Sequence, residues 1–220
     1  MTSPDESFYF RPTASVARDL VGKKLVRIVR GNDGQVVRRL SGVIVETEAY
    51  GHSDDKASHA YIGPTRRNSI MFGAVGRAYV YFSYGNHFCV NISARSPNAK
   101  AGAVLIRALQ PLEGLDIMQQ LRNRKDLYDL TSGPGKLTKA MGITNLLNGV
   151  DMTDPDGELH IEPEDAPRSV ACSPRVGISR AVSKKWRFFD IDSPFVSRTV
   201  PAIHRARIVT ARVYTNSHIH

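Results

Sequence analysis

A turn motif, Gly31-Asn-Asp-Gly34, separates two runs of sequence that are rich in β-branched residues. The runs, Lys24–Arg30 and Val36–Tyr50, have the composition of strands, and the glycine- and asparagine-containing segment between them is typical of a hairpin. Because hairpins join neighbouring antiparallel strands, this feature favours an antiparallel sheet over a doubly wound parallel one.

The rest of the chain extends this pattern. A second hairpin is predicted around Tyr84-Gly-Asn86, and a helix is expected at Thr13–Val21, before Gly22. With 220 residues and no internal repeat or linker-like segment, the chain is predicted to be one α+β domain spanning residues 1–220. The remaining predicted elements are strands at 78–83, 87–93, 103–109, 175–179, 187–191 and 205–214, and helices at 112–121 and 136–141.

The charge of the chain points to a polyanionic partner. Thirty lysines and arginines against 21 acidic residues give a net charge of +9, which attracts phosphates, although solubility alone is an alternative explanation. Two cysteines, Cys89 and Cys172, form neither a disulfide framework nor a zinc site, so an intracellular location is expected. The first seven residues do not resemble a signal peptide, and no apolar run is long enough to span a membrane.

Two acidic residues share a face of the second predicted strand. The two-residue period places Glu46 and Glu48 beside Tyr50, with Cα atoms about 6.5–7 Å apart, a spacing that suits a glycosidase pair. The alternative is an edge strand whose glutamates face solvent. His52 and His59 follow in a polar loop, and carboxylates, an aromatic ring and histidines at one strand end favour a functional site.

The second hairpin is rich in tyrosine. Tyr79 and Tyr81 share a strand face, and Tyr84 lies at the turn, where it is a candidate wedge for insertion between bases. The alternative is that these tyrosines are ordinary packing residues of a sheet. On the returning strand, Asn91 is expected to be buried and must therefore find hydrogen-bond partners in the backbone or in a ligand.

Two further segments carry basic residues of interest. Arg107 interrupts an apolar strand, so it either faces outward or pairs with an acid such as Glu48. The segment Ser132-Gly-Pro-Gly-Lys136 is not a P-loop, because Leu137 replaces the required Ser or Thr. As a glycine-rich approach to a helix start it is able to hold a DNA phosphate, and the alternative is that it simply terminates a helix. The terminal His218 and His220 lack other ligand residues, so no metal site is expected.

Together these motifs resemble the alkyladenine, or 3-methyladenine, DNA glycosylase family. The similarity extends in order over about residues 17–198. The matching segments are Glu46-Thr-Glu-Ala-Tyr50 with His59, Pro64-Thr-Arg-Arg-Asn68, the tyrosine-rich stretch 79–91, residues 104–114, Ser132-Gly-Pro-Gly-Lys-Leu137, Arg175-Val-Gly177 and Ser193-Pro194.

The resemblance implies a monomeric, cofactor-free base-excision repair enzyme with a barrel-like antiparallel sheet and no helix-hairpin-helix motif. Its partner would be double-stranded DNA containing damaged purines, in the cytoplasm or nucleoid of a bacterium or the nucleus of a eukaryote. By position, Glu48 matches the base that activates water and Arg107 its partner, while Glu46 matches no catalytic residue. The other matches are Tyr50, His59 and Tyr81 in the base pocket, Asn91 as the residue that disfavours guanine, and Tyr84 as the residue that fills the gap in the duplex.

The resemblance also implies a reaction. The substrates would be 3-methyladenine, 7-methylguanine, hypoxanthine and ethenoadenine, and a cationic alkylated purine is a good leaving group that stacks favourably on tyrosine, by up to about 2 kcal/mol. No lysine is among the matched pocket positions, so a monofunctional enzyme that leaves an abasic site is expected. Arg66, Arg67 and Lys136 are predicted to contact the DNA backbone, and the basic surface is expected around Tyr84 and the 132–136 loop.

Two other functions fit parts of the sequence. Charge and aromatic residues alone are compatible with a non-catalytic nucleic-acid-binding module. A carbohydrate glycosidase would use Glu46 and Glu48, but a net charge of +9 and a single tryptophan, Trp186, make it less attractive.

Overall fold

The computed structural model describes residues 3–31, 33–83, 85–164 and 168–197. In these residues, eight antiparallel strands form one sheet that curls into a half-barrel, with short helices around it, so the predicted α+β class is confirmed. The strands are β1 (Lys24–Arg30), β2 (Val36–Tyr50), β3 (Ala78–Ser83), β4 (His87–Ser93), β5 (Ala103–Glu113), β6 (Leu159–Glu162), β7 (Val170–Ser173) and β8 (Arg187–Asp190).

Short helices pack against this sheet. The main path through the sheet is β3-β4-β5-β2-β1-β6, and β8 joins β2 to β7. The α-helices are α1 (Glu6–Tyr9), α2 (Thr13–Leu20), α3 (Leu115–Arg122), α4 (Leu127–Leu130) and α5 (Pro134–Ala140), and 3₁₀ turns cover His59–Ile62, Ser69–Phe72 and Asn145–Leu147. None of the helices in the described part of the chain is long and apolar enough to cross a membrane.

Strand β2 is the central element of the sheet. It pairs with β5 along one edge, and along the other it pairs first with β1 and then, at Glu46–Glu48, with β8. Helix α2 packs on it, and the Thr47 hydroxyl donates a hydrogen bond to the Ala17 carbonyl at 2.7 Å. Neither glutamate is exposed to solvent, so the alternative of an edge strand with solvent-facing glutamates is wrong.

The pairing of β2 with β5 is irregular beside Arg107. Ala108 lies opposite Glu46 and Ile106 lies opposite Thr47, so Arg107 is an extra residue at a shift in register. Such β-bulges redirect a side chain out of the regular alternation of a strand. The shift explains how one arginine contacts both Glu46 and Glu48.

A hydrophobic core lies between the sheet and the helices. Helix α5 packs on β4, where the Thr138 hydroxyl donates a hydrogen bond to the Phe88 carbonyl at 2.9 Å. Each fully buried leucine, isoleucine or methionine side chain contributes about 1.5–3 kcal/mol of hydrophobic free energy, which makes the sheet a rigid support. Members of the core include Leu20, Leu25, Ile44, Ile92, Leu109 and Met118.

Two predicted elements differ clearly from the structure, and a third is not tested by it. The helix predicted from Leu112 begins at Leu115, because β5 continues through Pro111 to Glu113. The strand predicted at 175–179 is an irregular loop, and the strand of this region is β7, which pairs with β8. The predicted strand 205–214 lies outside the described residues.

Candidate active site

Glu48 lies on the fully buried part of β2. Its Oε2 accepts hydrogen bonds from the Tyr50 hydroxyl at 2.8 Å and from Nη1 of Arg107 at 3.2 Å, and its Oε1 accepts one from the Val176 N–H at 2.7 Å. Burial raises the pKa of Glu48, although Arg107 and the two other hydrogen bonds oppose this rise. An ionised carboxylate with a raised pKa is a stronger base than an exposed glutamate, as general base catalysis requires.

Arg107 is the link between the two glutamates of β2. Its Nε donates to Oε1 of Glu46 at 3.0 Å, and its side chain is only 10% exposed. Of the two alternatives for Arg107, pairing with an acid is therefore the one observed. Neither glutamate lines the cavity described next, but Glu48 is hydrogen-bonded to three residues that do, Tyr50, Arg107 and Val176. Glu46 contacts only Arg107 among the lining residues and is otherwise bound by Arg187 and Ser197, so it is not placed to flank a substrate bond as the second acid of a carbohydrate glycosidase.

A cavity of about 510 Å³ lies above this buried pair. Its volume falls within the range of ordinary ligand sites. The Arg107 side chain and the loop at Val176 form part of its wall. Its other lining residues include Tyr50, Lys56, His59, Arg67, Tyr79, Tyr81, His87, Cys89, Asn91 and Arg180, which come from β2, β3, β4 and the loops between strands.

Three aromatic side chains pack together on one wall of the cavity. The His59 ring lies 4.7 Å from the Tyr81 ring, and the Tyr79 and Tyr81 ring centroids are 5.2 Å apart. His59 Nδ1 shares a hydrogen bond of 2.9 Å with the Tyr79 hydroxyl. Partial burial of the His59 ring and then the charge of Arg67 lower the pKa of His59, so the imidazole is neutral at pH 7. Burial raises the pKa of Tyr79 to about 12.

Asn91 lies on the strand that faces these rings. It is buried, and its side-chain amide donates to the Tyr79 carbonyl across the β3–β4 pair at 2.9 Å. Because a backbone group takes this donor, the orientation of the Asn91 amide in the cavity wall is fixed. The expectation that a buried Asn91 must find a partner is thus met by the backbone.

A buried ion pair holds the loop that closes the cavity. Arg175 pairs with Asp55, donates to the Ala49 carbonyl at 2.8 Å, and places its guanidinium carbon 4.6 Å from the centre of the Tyr50 ring. One face of Tyr50 is therefore covered by protein. The motif Arg175-Val-Gly177 carried a signal for this loop, but no sequence pattern linked it to Asp55.

The residues predicted to contact the DNA backbone lie in different environments. Arg66 and Arg67 are exposed, but only Arg67 lines the cavity, where its guanidinium carbon is 5.2 Å from the centre of the Tyr81 ring. Lys136 pairs with Asp129 at 2.5 Å and is one-third exposed. Tyr84 lies outside the described residues. Lys56 and Arg180, two basic residues of the cavity rim, were not predicted.

His87, a residue without a predicted role, has a packing function. A Cβ atom on Gly135 would lie 2.5 Å from Cδ2 of His87, so only glycine fits beneath the ring. This contact joins the first turn of α5, within the 132–136 segment, to the end of the β3–β4 hairpin. The two segments for which a basic DNA-facing surface was predicted are therefore in contact with each other.

The chain combines an antiparallel half-barrel with a buried glutamate and arginine beneath an aromatic cavity, and comparison with known proteins identifies its class as a DNA glycosylase, a hydrolase of N-glycosyl bonds. The sequence profile described as methylpurine-DNA glycosylase (MPG) matches residues 7–194, and the chain belongs to this family. The resemblance found in the sequence is confirmed. Membership assigns the chain to base excision repair, with DNA as its substrate.

Individual relatives agree with this assignment, and each is provisionally named a 3-methyladenine DNA glycosylase. A protein from Methanocella arvoryzae is 46% identical over 198 residues, which cover 88% of this chain and 95% of the relative. One from Granulibacter bethesdensis is 45% identical, with 89% and 88% covered. One from Chlorobium phaeovibrioides is 43% identical, with 90% and 98% covered.

Proposed function

We propose that this glycosylase removes alkylated and deaminated purines from duplex DNA by using Glu48 to activate a water molecule. The substrates are 3-methyladenine, 7-methylguanine, hypoxanthine and ethenoadenine, and the product is an abasic site. The whole chain, residues 1–220, acts as one monomeric domain in the compartment that holds the genome. The observation that carries the proposal is the buried Glu48 carboxylate, held by Tyr50, Arg107 and the Val176 N–H beside an aromatic cavity.

Tyr50, His59 and Tyr81 supply the base pocket in this proposal. A base flipped out of the duplex stacks on aromatic rings, and a cationic alkylpurine gains additional energy from their quadrupoles. The protein covers one face of Tyr50 with Arg175, so a base is able to stack only on the other face. The fixed amide of Asn91 then selects against a purine that carries the exocyclic amine of guanine.

Glu48 performs the chemical step. It takes a proton from water as the water oxygen attacks C1′ of the sugar and the bond from C1′ to the base breaks. The negative charge of Glu48 also stabilises the oxocarbenium-like transition state. Arg107 keeps Glu48 ionised and oriented. A purine that is already cationic leaves without a proton from the enzyme.

Duplex binding depends on the basic residues around the cavity. Lys56, Arg67 and Arg180 line its rim, and they add to the predicted contacts by Arg66 and Lys136. Phosphate contacts of this kind give sequence-independent affinity that falls as the salt concentration rises. The aromatic base pocket then supplies the selection for damaged over undamaged bases.

The direct test replaces Glu48 by Gln and measures release of 3-methyladenine from methylated duplex under single-turnover conditions. We expect a loss of at least about a hundredfold, as for removal of a general base. Glu158→Gln is the matched control, because Glu158 is a half-exposed glutamate whose ion-pair partner, Arg27, lies outside the cavity lining. Unreduced excision by Glu48→Gln would exclude the proposed role of Glu48.

The same reactions test the monofunctional mechanism. Borohydride traps a Schiff base between a lysine and an abasic site, and Lys56 is a lysine of the cavity lining. We expect no trapped complex with the wild-type enzyme. A complex that disappears in Lys56→Ala would instead identify a lyase.

A further inference from the structure

Glu46 is a fully buried carboxylate that has no part in the chemistry proposed above. Its Oε1 accepts hydrogen bonds from Nε of Arg107 at 3.0 Å and Nε of Arg187 at 2.7 Å. Ser197 donates to it twice, through its N–H at 2.8 Å and its hydroxyl at 3.0 Å. A buried carboxylate with this number of charge-assisted bonds is fixed in position and remains ionised.

The Arg107 guanidinium is divided between two carboxylates. Its Nε faces Glu46, and its Nη1 faces Glu48. An arginine with a single carboxylate partner holds that partner strongly in the ionised form, which makes the carboxylate a weak base. Because Arg107 also contacts Glu46, it lowers the pKa of Glu48 less than it would with Glu48 as its single partner.

The charges of the buried cluster formed by Glu46, Glu48, Arg107 and Arg187 balance. Glu46 and Glu48 come from β2, Arg107 from β5 and Arg187 from β8, which gives two acids and two guanidinium groups. Burial would raise the pKa of Glu46, but Arg107, Arg187 and the Ser197 N–H outweigh burial and lower it. The pKa of Glu48 is raised, with burial as the largest cause. The two glutamates therefore differ in basicity although one arginine contacts both.

Other polar groups of the described residues also lie against the two glutamates. Tyr50 of β2 and the Val176 N–H of the loop 174–180 face Glu48, and the Arg175 charge lies near Glu48 from the same loop. On the Glu46 side, Arg187 also contacts the Ser173 hydroxyl of β7 at 3.4 Å.

We propose that Glu46 is a positioning residue for base excision: it takes up one edge of the Arg107 guanidinium and thereby keeps Glu48 a sufficiently strong base to activate water. Glu46 acts through Arg107 and contacts neither the base nor the attacking water. This inference rests on the proposed role of Glu48 as the general base.

The test compares Glu46→Gln with the wild type in single-turnover excision of 3-methyladenine across a range of pH. This lesion is already a cation, so the acid limb of the profile reports the ionisation of Glu48. Without the Glu46 charge, Glu48 is the only carboxylate that the Arg107 guanidinium contacts, so Arg107 stabilises the ionised form of Glu48 more strongly. We expect the acid limb to move to lower pH by about one unit and the plateau rate to fall several-fold.

Two further measurements separate this role from a structural one. Affinity for lesion-containing duplex should change less than twofold, because Glu46 does not line the cavity. Titration of active sites restricts each rate to folded enzyme. Glu162→Gln is the matched control, since Glu162 forms an ion pair with Arg39 in the same sheet but outside the cavity lining, and its profile should coincide with that of the wild type.

A second variant has the opposite predicted sign. Arg187→Gln removes one of the two guanidinium groups that bind Glu46. The Arg107 guanidinium then interacts more strongly with Glu46 and less with Glu48, so the pKa of Glu48 rises and the acid limb should move to higher pH. An acid limb that does not move in either variant, or that rises in Glu46→Gln, would overturn the proposal. Glu48→Gln, measured in parallel, separates the two claims: if it retains activity the proposed function fails, and if only the Glu46 shift is missing the present inference fails alone.

Discussion

The Arg175 guanidinium donates to both carboxylate oxygens of Asp55 at 2.6 Å each, and both side chains are completely buried. Asp55 also accepts from the Gly51 N–H at 2.9 Å and the Ala57 N–H at 3.3 Å. These contacts join the loop after β2 to the loop that supplies the Val176 N–H. One ion pair thus supports both the Tyr50 wall of the cavity and the hydrogen bond to Glu48.

Replacement of Asp55 by Asn should lower the free energy of unfolding by about 3 kcal/mol, because it leaves the Arg175 charge buried without a counter-charge. Burial would raise the pKa of Asp55, but Arg175 and the N–H groups outweigh it and lower the pKa. The stability from this pair is therefore present above the ordinary carboxyl pKa of about 3.9 and is lost as pH falls through the lower folded-state pKa. Urea denaturation at pH 7 and at acidic pH measures both effects.

The neighbouring residue provides the control for this prediction. Asp54 pairs with Lys184 at 2.6 Å, but its side chain is 69% exposed. Exposed pairs contribute about 0–1 kcal/mol, so Asp54→Asn should change stability little. Equal losses in the two variants, or a loss in Asp55→Asn that does not shrink at acidic pH, would contradict the assignment of the stability to the buried pair.

The parts of this protein that its sequence predicted are those determined by local patterns. Both hairpins are observed with the predicted strand bounds, because turn residues and β-branched runs act over a few positions. The pairing of Glu48 with Arg107 was foreseen as one alternative, since a charge within an apolar strand requires a partner.

The parts that were not predicted depend on contacts between distant residues. Asp55 and Arg175 are separated by 120 positions, and each is an ordinary surface residue type when considered alone. Pro111 suggested the start of a helix, yet β5 continues through it opposite Gly42, beside a shift in the β2–β5 register, and irregularities of this kind tolerate proline in a strand. The register shift at Arg107 arises from the pairing of two strands and has no signature in either strand alone.

The predicted wedge, Tyr84, is tested by substitution. Tyr84→Ala should weaken binding to lesion-containing duplex about tenfold while nonspecific duplex binding changes little, because a wedge acts only where a base leaves the stack. Phe82→Ala is a suitable control, since Phe82 is a half-exposed ring on the same hairpin. Fluorescence anisotropy with matched damaged and undamaged duplexes gives both affinities, and equal losses for the two duplexes would argue against a wedge.

Arg67 provides a test of how the pocket distinguishes charged from neutral lesions. Its guanidinium packs on Tyr81 and donates to the Phe82 carbonyl at 3.0 Å, so a cation already stands at the ring predicted to stack on the base. A positive charge there opposes a cationic base such as 7-methylguanine but not neutral hypoxanthine. Arg67→Gln should therefore raise the ratio of single-turnover excision rates, 7-methylguanine over hypoxanthine, by about threefold to tenfold, or about 0.7–1.4 kcal/mol.

Arg66→Gln removes the same charge from an exposed neighbour outside the cavity and should leave the ratio unchanged. An equal fall in both rates on Arg67→Gln would show instead that Arg67 acts on the DNA backbone alone, because a phosphate contact does not depend on which base is flipped.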